Sequence, residues 1–208
     1  MSLLEDFCGH LRMERIADKE FIGHSRYSAT ENHVFGGQVM GQALSAACQL
    51  VEGRECHSLS AQFLRAGSLQ EPIYYTVATL RDGRNFSVRR VSAVQSGREL
   101  LTLDASFHLD AQGFDQQPIM PAVAEPESLP TMASYREKFE QLSLNGLYHF
   151  LVTNNVFDFR CVDQPSYIEL NNRPAVQRMW MRAKHTLPTE QALQRSILAF
   201  ICDNNFIR

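Results

Sequence analysis

Between Gln38 and Val51 apolar residues recur at helical spacing, and directly after Val51 the period falls to two. Val39, Met40, Ala43, Leu44, Ala47, Leu50 and Val51 give this helix an apolar face too wide for a helix resting on a surface. Gly41, Ala43, Ser45, Ala46 and Ala47 keep the cylinder thin. Such a helix has to be wrapped closely by other structure. Downstream, the runs His57 to Leu64, Pro72 to Leu80, Phe86 to Val94 and Leu100 to Phe107 alternate as strands do, parted by turn residues at Ala66-Gly67, Asp82-Gly83 and Ser96-Gly97.

Short sequential connections favour an antiparallel sheet. One long apolar helix with one such sheet implies that the sheet curls around the helix, so the element order predicts an α+β chain with a hotdog fold. From Ala111 to about Pro130 the composition shifts, with Pro118, Pro121, Pro126 and Pro130 among Gln and Glu residues, which reads as an extended linker. The order then restarts. A helical patch spans Tyr135 to Leu144, strand-like runs cover Val156 to Val162 and Gln177 to Ala183, and a second helix follows Thr189 with Leu193, Ile197, Leu198 and Ile201 on one face. The expected organisation is a first hotdog unit at 12–110, a linker at 111–130 and a partial second unit at 131–208. Only the early strands and the central helix of that second unit fit in the residues available, so the expectation is a double hotdog with an incomplete second unit. It would leave an apolar face and an unpaired strand edge exposed, and homo-oligomerisation through hotdog sheet edges is the expected remedy.

Composition narrows the function classes. Apolar residues make up 44% of the 208 and charged residues 21%, enough to fill a core and too little charge for a disordered polyelectrolyte. A net charge of -3 supplies no positive field for a phosphate backbone or an anionic bilayer, so neither nucleic acid nor membrane is an expected partner. Cys8, Cys48, Cys56, Cys161 and Cys202 form no Cys-x-x-Cys and sit mostly among apolar neighbours, as reduced thiols of a cytoplasmic protein do. Met1 to Glu14 has no signal-like apolar stretch, nothing approaches the ~20 apolar residues of a membrane span, and Phe206-Ile207-Arg208 carries no peroxisomal or lipidation signal. Seven histidines contain no His-x-x-x-His or His-Glu-x-x-His pattern, so no metal is expected, and there is no Gly-x-Ser-x-Gly. No cofactor is called for.

Five blocks in order carry a family likeness. They are Val34-Phe35-Gly36-Gly37-Gln38-Val39 with Gly41-Gln42-Ala43-Leu44; His57-Ser58 with Phe63-Leu64-Arg65; Pro72-Ile73 with Tyr75 and Val77; Leu80-Arg81-Asp82-Gly83 with Phe86, Arg89-Arg90-Val91 and Gln95; and Ala105-Ser106-Phe107. Gln177, Trp180, Arg182 and Ala183, and the stretch Ile197 to Phe206, extend the likeness more loosely. On these blocks the chain resembles the acyl-CoA thioesterase II family of double-hotdog hydrolases. The resemblance implies hydrolysis of fatty acyl-CoA to free fatty acid and coenzyme A. It implies that a water is held by an aspartate at the end of the second central helix, with a threonine and a glutamine from the following strands. Asp203 is the counterpart of the aspartate, while the other two positions would fall beyond Arg208, so the chain resembles a C-terminally shortened member. Ala66 stands where the family's Phe-Leu-Arg-Pro-Gly turn has proline, which loosens that turn.

The residues have plainer readings beside these. Asp203, between Ile201-Cys202 and Phe206-Ile207, is disfavoured by the dipole of its own helix and by apolar neighbours; it reads as the inherited catalytic aspartate or as a solvated helix-end residue. Gly36 and Gly37 present amide N–H groups that could bind an oxyanion or substrate, or they form only a tight turn into the helix. Arg65, Arg89 and Arg90, with Arg81 and Arg84, could meet the phosphates of coenzyme A, or they are solvated cations of strands and turns. His57 reads as a hydrogen-bonded sheet residue and is left out of the catalytic set. A carboxylate base can drive a fixed water onto a thioester carbonyl with no covalent intermediate, the thiolate leaving unprotonated. Two function classes follow: an acyl-CoA hydrolase, or an inactive acyl-CoA-binding or scaffold protein derived from one.

Overall fold

The structure is a computed structural model that describes residues 2–28, 33–153, 155–165, 168 and 176–204. The described parts of 1–111 and 187–207 form one compact unit, and those of 112–186 a second.

In the first unit, helix α1 (Leu3–Leu11) begins with a capping box in which Ser2 and Glu5 bond each other's backbone N–H. Two short strands follow, β1 (Glu14–Ala17) and β2 (Glu20–Gly23), then the central helix α2 (Gly36–Cys48). Four longer strands complete the sheet: β3 (Glu55–Phe63), β4 (Ile73–Asp82), β5 (Phe86–Gln95) and β6 (Arg98–His108). Their order is β1-β2-β4-β5-β6-β3, antiparallel throughout, with β3 at the far edge. This is the hotdog arrangement that the period switch implied. The β5–β6 hairpin turns at Ser96 and Gly97, both at positive φ (50° and 71°), as a two-residue connection between twisted strands requires.

Helix α2 is the centre of the core, with ten of its thirteen residues buried. The sheet face against it carries Tyr75, Val77, Val91, Ala93, Leu101, Leu103, Ala105 and Phe107, all at or below 1% exposure, while the opposite face alternates to Arg90, Ser92, Thr102, Asp104 and Ser106. Two buried glutamines on α2 would be costly unless bonded, and both are. Gln38 accepts from the Arg26 and Tyr27 amides at 3.0 and 2.8 Å and donates to the His24 carbonyl. Gln42 donates to the His10 carbonyl at 2.8 Å and accepts from the Tyr75 hydroxyl at 2.8 Å. They sew the irregular segment after β2 and the end of α1 onto the central helix.

The last helix, α5 (Gln191–Cys202), packs against α2 and so joins the first compact unit, which departs from the boundaries read from the sequence. Its buried residues are Leu193, Ser196, Ile197, Ala199, Phe200 and Ile201. Leu198, expected on the inner face, is 58% exposed, because Ser196 and Phe200 define that face instead. Its N-cap is Glu190 rather than Thr189, and Glu190 pairs with Arg12 at 2.7 Å.

In the second unit, short helices α3 (Arg136–Gln141) and α4 (Asn145–Tyr148) precede a two-stranded antiparallel sheet of β7 (Phe157–Cys161) and β8 (Met179–Ala183). Met132, Phe139, Phe150, Leu151, Phe157 and Phe159 form its interior. Residues 112–125 carry no regular element. Within 166–175 only residue 168 is described, and residues 205–208, which include the end of the Ile197 to Phe206 stretch, lie outside the described residues.

The Tyr75 to Gln42 hydrogen bond generates a stability prediction. Tyr75→Phe leaves the Gln42 oxygen buried with only a 3.5 Å contact to Gln38. Such an orphaned acceptor costs about 1–3 kcal/mol. At roughly 2–4 °C per kcal/mol for a chain of this size, the thermal melt of the variant should fall by several degrees. An unchanged melt would show that this bond does not hold the sheet to α2.

Candidate active site

Helix α2 starts without a side-chain cap of its own, its N-cap residue being Phe35. The exposed amide at that end is met from elsewhere in the fold: Asp203, the first residue past α5, accepts the Gly37 backbone N–H on its carboxylate. Negative charge at the N-terminus of α2 opposes the helix dipole favourably, which offsets the unfavourable end of α5. The approach needs glycine. A Cβ on Gly36 would stand 2.7 Å from Asp203 Oδ2 and 2.9 Å from Phe63 Cε1, so carboxylate, aromatic ring and helix backbone converge at one point.

That point lies in the wall of a cleft of about 340 Å³. Val34, Val39, Leu100 and Leu101 give it apolar walls, and Arg65, just after β3, is its charged side chain besides Asp203. Asp203 is half-buried, and burial pushes its carboxyl above the ordinary aspartate range, with the Gly37 N–H pulling the other way as the smaller effect. A carboxyl so raised is a stronger base when ionised than a solvated one. A second cleft of about 360 Å³ lies between α1 and β2, lined by two histidines, His10 and His24, of which His10 has its Nδ1 committed to the Asp6 carbonyl at 2.8 Å.

The three arginines singled out from the sequence part company. Arg65 is exposed in the cleft, with one nitrogen donating to the Glu99 carbonyl at 3.0 Å. Arg89 is 5% exposed and holds the β4–β5 hairpin together, donating to Asp82 at 2.8 and 3.2 Å and to the Leu50 carbonyl at 2.9 Å. Arg90 lies on the outer sheet face in a two-pronged pair with Asp104 at 2.7 and 2.6 Å. The structure therefore gathers Asp203, Gly36, Gly37 and Arg65, and leaves Arg89 and Arg90 outside. His57 is bonded to Ser106 Oγ at 2.9 Å on the exposed face, as a sheet histidine should be. Sequence reasoning missed Phe63 as a wall of the site. Its alternation within β3 was legible, but its contact with Gly36 is tertiary. Among the described residues no group of His, Cys, Asp or Glu could hold a metal ion.

With this geometry in hand, the chain can be set beside known proteins. Residues 24–108 match the family model described as the acyl-CoA thioesterase N-terminal domain. Over 202 residues the chain is 35% identical to acyl-CoA thioesterase 2 of Haemophilus influenzae, covering 97% of this chain and 70% of that protein. It is 30% identical over 206 residues to acyl-coenzyme A thioesterase 8 of Mus musculus, covering 95% of this chain and 64% of the relative. Among solved structures, a tesB protein of Mycobacterium avium subs paratuberculosis superposes with a TM-score of 0.70 at 31% identity, covering 95% of this chain and 68% of that one. The chain thus spans between 64% and 70% of the length of these relatives.

The raised carboxyl of Asp203 carries a pH prediction. A carboxyl whose folded pKa lies above its unfolded value adds stability that is complete below the unfolded value and is lost as pH rises through the folded one. Asp203→Asn keeps an oxygen for the Gly37 N–H and removes the buried charge. Its melting temperature should equal or exceed the parent's at pH 7, and the gap should close on acidification towards about pH 4, where the parent is protonated too. A parent that melts higher than the variant at neutral pH would mean that the charge at the end of α2 outweighs its burial.

Proposed function

The chain belongs to the acyl-CoA thioesterase II family, and from that membership we propose that it hydrolyses fatty acyl-CoA to free fatty acid and coenzyme A. The observation that carries this reading is Asp203, a half-buried carboxylate with a raised pKa, held by a backbone amide in the wall of an apolar cleft. Asp203 takes a proton from a water, whose oxygen attacks the thioester carbonyl. The carbonyl electrons move onto its oxygen, which the backbone N–H of Gly36 receives at the start of α2. When the carbonyl reforms, the C–S bond breaks and coenzyme A leaves as a thiolate. The Gly37 N–H, already given to Asp203, holds the base rather than the oxyanion. Arg65 faces the anionic leaving group, whose phosphates suit a guanidinium. The apolar walls from Val34, Val39, Leu100 and Leu101 receive the acyl chain.

We place the protein in the cytoplasm; among its described residues no helix is long and apolar enough to cross a membrane. We also propose that it self-associates through β3, the terminal strand of its sheet, whose outer edge suits pairing with a second copy. The alternative, an acyl-CoA-binding or scaffold protein without turnover, is favoured by one observation: among the described residues lining the cleft, no hydroxyl or amide side chain stands beside Asp203 to fix a water.

Release of free thiol from a medium-chain and a long-chain acyl-CoA separates the two. Hydrolysis that falls about 10²-fold or more in Asp203→Asn, with KM little changed, supports the general base. The parent's rate should rise with pH through an acid limb displaced above the ordinary aspartate value. Robust hydrolysis that survives Asp203→Asn rejects the mechanism, and binding of acyl-CoA without thiol release supports the alternative.

A further inference from the structure

Gly37 and Gly41 lie one turn apart on α2, and α5 passes so close that a side chain on either would strike its backbone. A Cβ on Gly37 would stand 2.2 Å from the Phe200 carbonyl oxygen, and one on Gly41 2.9 Å from the Ser196 carbonyl oxygen. Ser196 and Phe200 are themselves one turn apart, so two successive turns of each helix meet backbone to backbone. That contact fixes both the separation of the helices and their register. Ser196 is fully buried and directs its hydroxyl back to the Ala192 carbonyl at 2.9 Å, and a Cβ on Gly41 would also meet Leu11 Cδ2 at 3.0 Å and Phe200 Cβ at 3.3 Å, so the space around Gly41 is closed on both sides. The Phe200 ring is held edge-on by Phe7, Phe35 and Tyr27 at centroid distances of 4.9, 5.1 and 5.6 Å, which fixes the rotation of α5.

Asp203 is three residues beyond Phe200, and its carboxylate returns to the Gly37 amide. The residue that admits α5 thus also grips the carboxylate at its end. We propose that the Gly37–Gly41 face of α2 sets where Asp203 sits, and that Gly41, a full turn away from the cleft, is a positioning residue for the site. This rests on Asp203 being the general base. An alanine at 41 would drive the Ser196 carbonyl back by about half an ångström before ordinary contact at 3.4 Å is restored. Since about 1 Å of misplacement costs on the order of 10²-fold, kcat should fall by roughly 10-fold.

The test is a carboxyl-carbon NMR titration of Asp203 in the full chain, run beside kcat and KM for thiol release from an acyl-CoA. Arg65, after β3, shares the cleft with Asp203; the surrounding elements also carry Glu55, Cys56 and His57 on β3, Arg98, Glu99, Asp104 and His108 on β6, and Arg195 and Cys202 on α5, while α2 carries no charge and its thiol, Cys48, is at the opposite end. None of these is altered by Gly41→Ala, so a shift in the titration reports the loosened Gly37 hydrogen bond. Gly41→Ala should raise the Asp203 pKa further, lower kcat about 10-fold and leave KM within about 2-fold. Gly9→Ala, where a Cβ meets nothing within 4 Å, should change none of these. A folded Gly41→Ala protein that titrates as the parent does overturns the proposal. If Gly41→Ala fails to fold, Phe200→Leu loosens the ring contacts without adding an atom between the backbones; the same upward shift supports the proposal and an unmoved titration overturns it. Failure of the hydrolytic reading looks different: the parent then releases no thiol while the Gly41→Ala titration still shifts.

Discussion

Helix α2 cannot meet water on any broad side, and the first unit is built around hiding it. Its residues are small and apolar, so each makes little contact by itself, and burial has to come from structure pressed closely against the whole cylinder. The antiparallel sheet takes one side through Tyr75, Val91, Leu103 and Phe107. The other side falls to α1 and α5. At about 25 cal/mol per Å² of apolar surface removed from water, covering this helix outweighs any single polar interaction in the unit. That is why two glutamines are tolerated inside, provided that their amides reach the backbone at His10, His24, Arg26 and Tyr27.

Close packing on that second side has a chemical consequence. A helix can come within backbone contact of another only where side chains are missing, and α2 offers such a place at Gly37 and Gly41. The same lack of side chains at Gly36 leaves the first turn open to Asp203 and Phe63. The apolar demand that brings α5 in therefore also delivers a carboxylate to the uncapped end of α2, against an aromatic ring. Gly37 serves both ends of this arrangement, admitting α5 and bonding the carboxylate of Asp203.

What could be read from the sequence was what depends on local pattern. The change of period after Val51, the four long strands and the Ser96-Gly97 turn all follow from side-chain alternation and backbone preference, and the structure has them within a few residues. The short strands β1 and β2 escaped because four residues hold too little alternation, and the exposure of β1 along its whole length erases what there is. On α5, Leu193, Ile197 and Ile201 are buried as the pattern implies, and only Leu198 departs from it, because Leu198 is apolar and Ser196 is not, whereas the contact with Gly41 selects for size rather than polarity. The grouping of α5 with the first unit escaped for the same reason, since the repeat of element order says nothing of which helix a given face fits. The arginines make the point at the site. Arg65, Arg89 and Arg90 are alike in sequence, and only their partners, the Glu99 carbonyl, Asp82 and Asp104, decide which is left facing the cleft.

Structure alone gives a poor reason for an acid at position 203. The N-terminus of α2 offsets the unfavourable end of α5, but the carboxylate is half withdrawn from water and has its pKa raised by that burial, which the Gly37 N–H opposes only in part. A neutral asparagine would accept the same amide and cap α2 equally well, without a buried charge. Local stability therefore argues against the residue that is present. A group kept where its ionised form is disfavoured, beside an open apolar cleft and within reach of a helix amide, is the kind of residue on which the proposed proton transfer rests.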